Sequence, residues 1–150
     1  MGYKLFSALL MLLLLVSCKK SDVETPLDTI IATINGKTTT FTSAAGSYGY
    51  SSVINNYDLN LSSIIYYPKI MGVRLTNPTP IVAGTYDNVG RTYPVTLYIF
   101  YDTFISNPTK KSIVTITSIS STNVKGTFSG DLSSGADSIT ITNGSFNINF

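Results

Sequence analysis

Apolar residues fall into two regimes along the chain. Leu5 to Val16 is a run of aliphatic and aromatic side chains broken only by Ser7, with no alternation. From residue 29 onward apolar side chains recur at every second position in short stretches, and no stretch sustains a helical period. Ile30, Ala32 and Ile34 share one face of Thr29–Ile34. Val124, Gly126, Phe128, Gly130 and Leu132 alternate with polar neighbours, as do Phe146, Ile148 and Phe150. A period of two puts one face of a strand into a core and leaves the other wet.

Turn chemistry punctuates these stretches. Asn35-Gly36 predicts a two-residue hairpin, because both residues tolerate positive φ, and Thr38–Thr42 is the returning strand. Ala44–Asn56 is rich in Gly, Ser and Tyr and shows no clear pattern. Asp58–Tyr67 and Ile70–Leu75 read as strands flanking Pro68. Asn77-Pro78-Thr79-Pro80 reads as a loop, since proline cannot donate to a ladder. Gly84-Thr85-Tyr86 opens a short strand, Tyr93–Asp102 is the most apolar strand, and Ser106–Lys111 is a loop. Ile113–Ser120, Val124–Leu132, Ser138–Thr142 and Ser145–Phe150 then form a meander, with turns at Thr122-Asn123, Ser133–Ala136 and Asn143-Gly144. The expected fold is all-β: one antiparallel β-sandwich or barrel of about nine to ten strands, following a signal peptide.

The N-terminal apolar run is too short to anchor in a bilayer, which takes about 20 residues. It suits the core of an export signal, with Lys4 as its positive start. Leu15-Val16-Ser17-Cys18 resembles the bacterial lipobox, in which the cysteine becomes the lipid-bearing first residue of the mature chain. Residues 1–17 are then a lipoprotein signal peptide, 18–28 a lipidated tether and 29–150 the all-β domain. Each buried methylene contributes about 0.8 kcal/mol, so two acyl chains on Cys18 hold a protein stably at a membrane. Lys19 stands where inner-membrane lipoproteins commonly carry Asp, which makes the outer membrane the expected site. Ser21-Asp22-Val23-Glu24 resembles the short acidic export signals of Bacteroidota surface lipoproteins, and this favours the cell-surface face over the periplasmic one.

Composition narrows the chemistry. The 150 residues include no His and no Trp, and their one Cys is Cys18. Imidazole-dependent hydrolysis, Cys-His catalysis and His-ligated metals are excluded. The net charge is +2 and the basic residues form no cluster, which argues against nucleic acid. Within the domain, Asp58, Asp87, Asp102, Asp131 and Asp137 fall at strand ends or turns, where Asp caps the backbone. Asp87-Asn88, and Asp131 with Asp137 around Ser133–Gly135, supply oxygens but fall short of a calcium loop. No cofactor and no metal is expected. Tyr66, Tyr98 and Phe100 are the candidate binding residues: if their strands are neighbours, the three rings form an aromatic patch outside the core.

The run Val124-Lys125-Gly126-Thr127-Phe128-Ser129-Gly130, followed by Ser138-Ile139-Thr140-Ile141-Thr142-Asn143-Gly144-Ser145-Phe146-Asn147, resembles the ending of a family of small Bacteroidota lipoproteins of unknown function. Ile34-Asn35-Gly36-Lys37 and Gly84-Thr85-Tyr86 are similar to that family's other short motifs. The resemblance implies an all-β lipoprotein and carries over no functional residues; the chain departs from it in lacking Trp near the first hairpin. Asp28-Thr29-Ile30 and Asp137-Ser138-Ile139 resemble the acceptor sequence of Bacteroidota protein O-glycosylation. The expected function is a non-enzymatic binding or structural module of the cell envelope, attached to the membrane by its lipid and meeting a protein or glycan. The alternatives are a small-ligand carrier and a carboxylate- or metal-dependent enzyme.

Overall fold

A computed structural model describes residues 24–64, 70–89, 95–100, 104–107 and 109–150. Residues 1–17, expected to be an export signal, and Cys18, Tyr66 and Asp102 lie outside the described residues. Among those described, eleven strands form: β1 (Thr29–Ile34), β2 (Lys37–Phe41), β3 (Ala44–Ser51), β4 (Asn56–Ile64), β5 (Ile70–Asn77), β6 (Gly84–Asp87), β7 (Val95–Phe100), β8 (Phe104–Ser106), β9 (Ile113–Ile119), β10 (Asn123–Ser134) and β11 (Asp137–Asn149). The all-β expectation holds.

Every pairing is antiparallel, and all the strands belong to one sheet. Its main path runs β2-β1-β11-β10-β8-β7-β5-β4-β3. The long strand β10 serves two neighbours: Val124–Ser129 pairs with β9, and Leu132 and Ser133 pair with β8. β9 carries β6 on its far side. The sheet curls until it nearly closes into a barrel. At the seam, Ala44 N donates to Asp28 O at 2.9 Å, and the Tyr48 hydroxyl accepts from Ile81 N at 3.0 Å.

The Asn35-Gly36 hairpin forms as its chemistry predicts, with φ of 47° and 83° and Ile34 facing Lys37. Gly135-Ala136 closes the β10–β11 hairpin. Gly135 has φ 60°, the first-position requirement of a type II′ turn. The same Asn-Gly pair at Asn143-Gly144 does not turn the chain, contrary to the sequence expectation. Asn143 adopts φ 49° as the extra residue of a β-bulge, and Ser138–Thr142 and Ser145–Phe150 fuse into the single strand β11. Both neighbours keep pairing past the bulge: Phe128 faces Gly144 while Gly130 faces Ile141, and Ile31 faces Ser145 while Thr33 faces Thr142.

Two further strands account for the higher count. Ser106 closes β8 instead of opening a loop. Ala44–Ser51, which showed no pattern, is β3; its core-side residues Ala44, Gly46 and Tyr48 alternate, but small residues hide the period. The barrel interior is a continuous apolar cluster. Ile30, Leu59, Leu61, Met71, Val73, Leu97, Val114, Val124, Leu132 and Ile148 are wholly withdrawn from water, each contributing roughly 1.5–3 kcal/mol. Many outward positions are polar: Thr85, Thr115, Thr127 and Ser145 lie side by side across β6, β9, β10 and β11. Thr85 and Thr115 hydroxyls are 3.1 Å apart.

Candidate functional site

Of the three aromatic residues singled out from the sequence, Tyr98 is the one whose side chain is described. It points outward from β7, opposite Gly72 of β5 and Ile105 of β8. Its ring occupies the space a Cβ on Gly72 would take, and its hydroxyl donates to Asn60 Oδ1 on β4 at 3.1 Å. Arg74 lies beside it. The guanidinium grips Asp58 in a two-point contact, Nε to Oδ1 at 2.9 Å and Nη2 to Oδ2 at 3.0 Å. The hydrogen bond to Asp58 holds Arg74 above its ordinary value. Burial pushes the Tyr98 hydroxyl up; Arg74 opposes the shift and Asp58 adds to it. Tyr98 is thus built into the sheet as the cover of a glycine. Phe100 follows on the same strand with its backbone facing Ile70. Tyr66 and the side chain of Phe100 lie outside the described residues, so the proposed patch is represented by Tyr98 alone.

Among the described residues, Asp58, Asp87 and Asp131 have local partners. Asp87 accepts from Val89 N at 3.2 Å and faces Lys111 at 3.6 Å. Asp131 accepts from the Thr140 hydroxyl at 2.6 Å and faces Lys110 at 3.5 Å. Asp137 sits at the hairpin end opposite Ser134. Among the described residues no three His, Cys, Asp or Glu side chains gather where a metal ion would bind. Of the two glycosylation-like triplets, Thr29 is buried with its hydroxyl bonded to Pro26 O, whereas Ser138 is exposed.

A different aromatic cluster stands at one end of the barrel. Tyr50 and Tyr57 face each other across the β3–β4 hairpin with ring centroids 5.4 Å apart, edge to face. Tyr48 lies 6.2 Å from Tyr57 and 6.2 Å from Phe150, and so joins the hairpin to the segment that follows β11. The hairpin closes through Ser52-Val53-Ile54-Asn55, in which Asn55 adopts φ 54° and accepts a hydrogen bond from the Tyr50 hydroxyl. Tyr50 is 56% exposed and Val53 92%; Ile54 and Phe150 are exposed as well. The segments here carry no charge: from Thr38 to Tyr57, and from Leu75 to Tyr86, there is no Asp, Glu, Lys or Arg. Exposed rings and aliphatic tips without charge are the chemistry that contact surfaces use.

A second, shallower feature is an open groove of about 520 Å³ on the barrel wall beside the β11 bulge, lined by Ile113, Thr115, Thr127, Ser129, Thr142 and Asn143 among others. Its walls offer hydroxyls and amides, and no titratable group. In comparisons with known proteins, no family, no curated protein and no solved structure matches the chain.

The end cluster was not visible from the sequence, because the Gly- and Ser-rich β3 hid the hairpin that joins Tyr48, Tyr50 and Tyr57, and only barrel closure brings Phe150 to them. One signal did exist: the twenty-residue stretch Thr38–Tyr57 is free of charge and holds three aromatics at its end half, Tyr48, Tyr50 and Tyr57.

Proposed function

We propose that this protein is a lipid-anchored, non-enzymatic module of the bacterial outer membrane, and that the barrel end bearing Tyr48, Tyr50, Tyr57 and Phe150 is its contact surface. The lipobox-like Leu15-Val16-Ser17-Cys18 supports the anchor, and the exposed aromatic tip, built on segments without charge from Thr38 to Tyr57 and from Leu75 to Tyr86, is the observation that carries the contact role. The polar outer wall speaks against strands that themselves face lipid, which require an outward apolar band. The packed interior favours a surface that binds over a lumen that carries a ligand. Carboxylates committed to Lys110, Lys111 and Arg74 favour binding over hydrolysis, which needs two free carboxyl groups across a bond.

The test pairs chemistry with location. Mass analysis of the N-terminal peptide of the native protein should find Cys18 acylated, and Cys18→Ala should release the domain from the membrane fraction. Protease added to intact cells should degrade the domain if it faces outward; survival until lysis places it on the periplasmic face. A native protein that lacks acyl groups and fractionates as soluble refutes the proposal.

A further inference from the structure

The aromatic end has a neighbour set by the chain's own path. Glu24 is ion-paired with Lys125, the Thr25 carbonyl accepts from Asn147 Nδ2 at 2.9 Å, and Asp28 Oδ1 accepts from Asn149 N at 2.9 Å. The Lys125 ammonium holds the Glu24 carboxyl below its ordinary value. These contacts strap residues 24–28 to the start of β10 and the end of β11. Asn149 adjoins Phe150, whose ring stacks on Tyr48. The tether therefore meets the barrel at the aromatic end, away from the turns at Asn35-Gly36 and Gly135-Ala136.

Distance then decides which end faces a membrane. Cys18 precedes Glu24 by six residues, a reach of at most ~20 Å when fully extended. β11 alone runs for thirteen residues, roughly 40 Å of strand. A lipid on Cys18 keeps the aromatic end within reach of the bilayer and the opposite end beyond it.

The chemistry of this end suits that position. Tyrosine places a ring in an apolar layer and its hydroxyl in water, which is why it collects at membrane interfaces. Val53 and Ile54 form an aliphatic tip in front of the rings. Val82 is exposed beside Ile81, which Tyr48 binds, and Leu27 is exposed on the strap itself. The charges at this end, Glu24, Asp28 and Lys125, belong to the strap, where Glu24 and Lys125 are paired; the segments of the tip itself, Thr38 to Tyr57 and Leu75 to Tyr86, hold no charge that would need to be stripped of water.

We propose that the β3–β4 tip, with Tyr50 and Phe150 behind it, rests in the headgroup layer of the same bilayer that holds the Cys18 lipid. This rests on the lipoprotein reading above. The occupant of the aromatic end is a lipid surface, and the barrel stands on the membrane instead of swinging from its tether.

The chain has no tryptophan, so V53W and V89W each create a sole tryptophan, excited selectively beyond tyrosine absorption, at the tip and at the opposite end of β6 from it. The mature lipidated variants are placed in phosphatidylethanolamine–phosphatidylglycerol vesicles with brominated acyl chains. The expected result is a blue-shifted V53W emission quenched about twofold or more, with V89W unchanged. A V53W signal that stays unquenched while the protein floats with the vesicles overturns the inference and leaves the anchor intact. Equal quenching at both positions overturns it too, and a shift caused by soluble envelope polysaccharide without lipid quenching replaces the bilayer with a glycan. Absence of acyl mass on Cys18 together with failure to float removes the lipoprotein reading, and this inference with it.

Discussion

Phe128 and Phe146 stack inside the barrel with ring centroids 6.3 Å apart, and each covers the glycine that faces it on the other strand. Phe128 lies opposite Gly144 and Phe146 opposite Gly126, so the β10–β11 hairpin carries two reciprocal ring-over-glycine pairs. A Cβ at Gly144 would meet the Phe128 carbonyl oxygen at 2.5 Å and its ring at 2.7 Å; one at Gly126 would collide with the Phe146 ring and the Thr115 carbonyl. Gly144→Ala and Gly126→Ala should each cost about 1–3 kcal/mol through overpacking. Gly49→Ala, with open space at its Cβ, should stay within about 0.5 kcal/mol of wild type. Urea midpoints of the three variants check this ordering.

The contrast between the chain's two Asn-Gly pairs shows what the sequence can and cannot tell. Asn35-Gly36 turns the chain and Asn143-Gly144 does not, although local propensity is the same for both. What differs is the partner: Gly144 lies beneath the Phe128 ring, and β1 and β10 pair with β11 on both sides of Asn143. Strands with large alternating residues, such as Val124 to Leu132, were legible directly. β3 was not, because Ala44 and Gly46 sit where a reader looks for Val or Ile. Nor could Tyr48 be linked to Phe150, since their stacking depends on closure of the whole sheet.

The Tyr48 hydroxyl links β3 to the segment ahead of β6. It accepts from the Ile81 amide at 3.0 Å and sits 3.4 Å from the Ile81 carbonyl. Tyr48→Phe keeps the ring stack but leaves that amide without its acceptor. A loss of about 1 kcal/mol is expected, read from denaturant unfolding, with faster hydrogen exchange at Ile81.

The Tyr98 hydroxyl should ionise later than an ordinary phenol, because burial disfavours the phenolate. Its folded value is raised above the unfolded one of about 10. The stability it contributes is therefore complete below about pH 10 and lost as pH climbs through the folded value. Phenolate absorbance during alkaline titration should show a late-ionising tyrosine that disappears in Tyr98→Phe.

The Arg74–Asp58 contact lies on the surface, with 45% of the arginine side chain exposed. Asp58→Asn should cost no more than about 1 kcal/mol at low salt, and less as salt rises. Melting curves across a sodium chloride series test both the size and the trend.

The acidic side chains near Lys110 and Lys111 are paired within the protein, not grouped as ion ligands. Millimolar calcium and excess chelator should leave the melting temperature unchanged. A rise with calcium that saturates would point to a site the strand-end Asp residues assemble.

The place of β11 between β1 and β10 has a consequence for how the chain comes to be built. Thr29 of β1 faces Asn147, so the first strand's main partner follows it by more than a hundred positions. A chain emerging N-terminus first holds β1 and β2 as an isolated hairpin, too small to persist in water. The β3–β4–β5 meander and the β10–β11 ladder are local pieces able to form as soon as each is complete, and closing β1 onto β11 is the slow, non-local step. Until those late residues arrive β1 and β2 have no strand joining them to the rest of the sheet, and the nascent protein stays open and pliable for as long as it is being threaded.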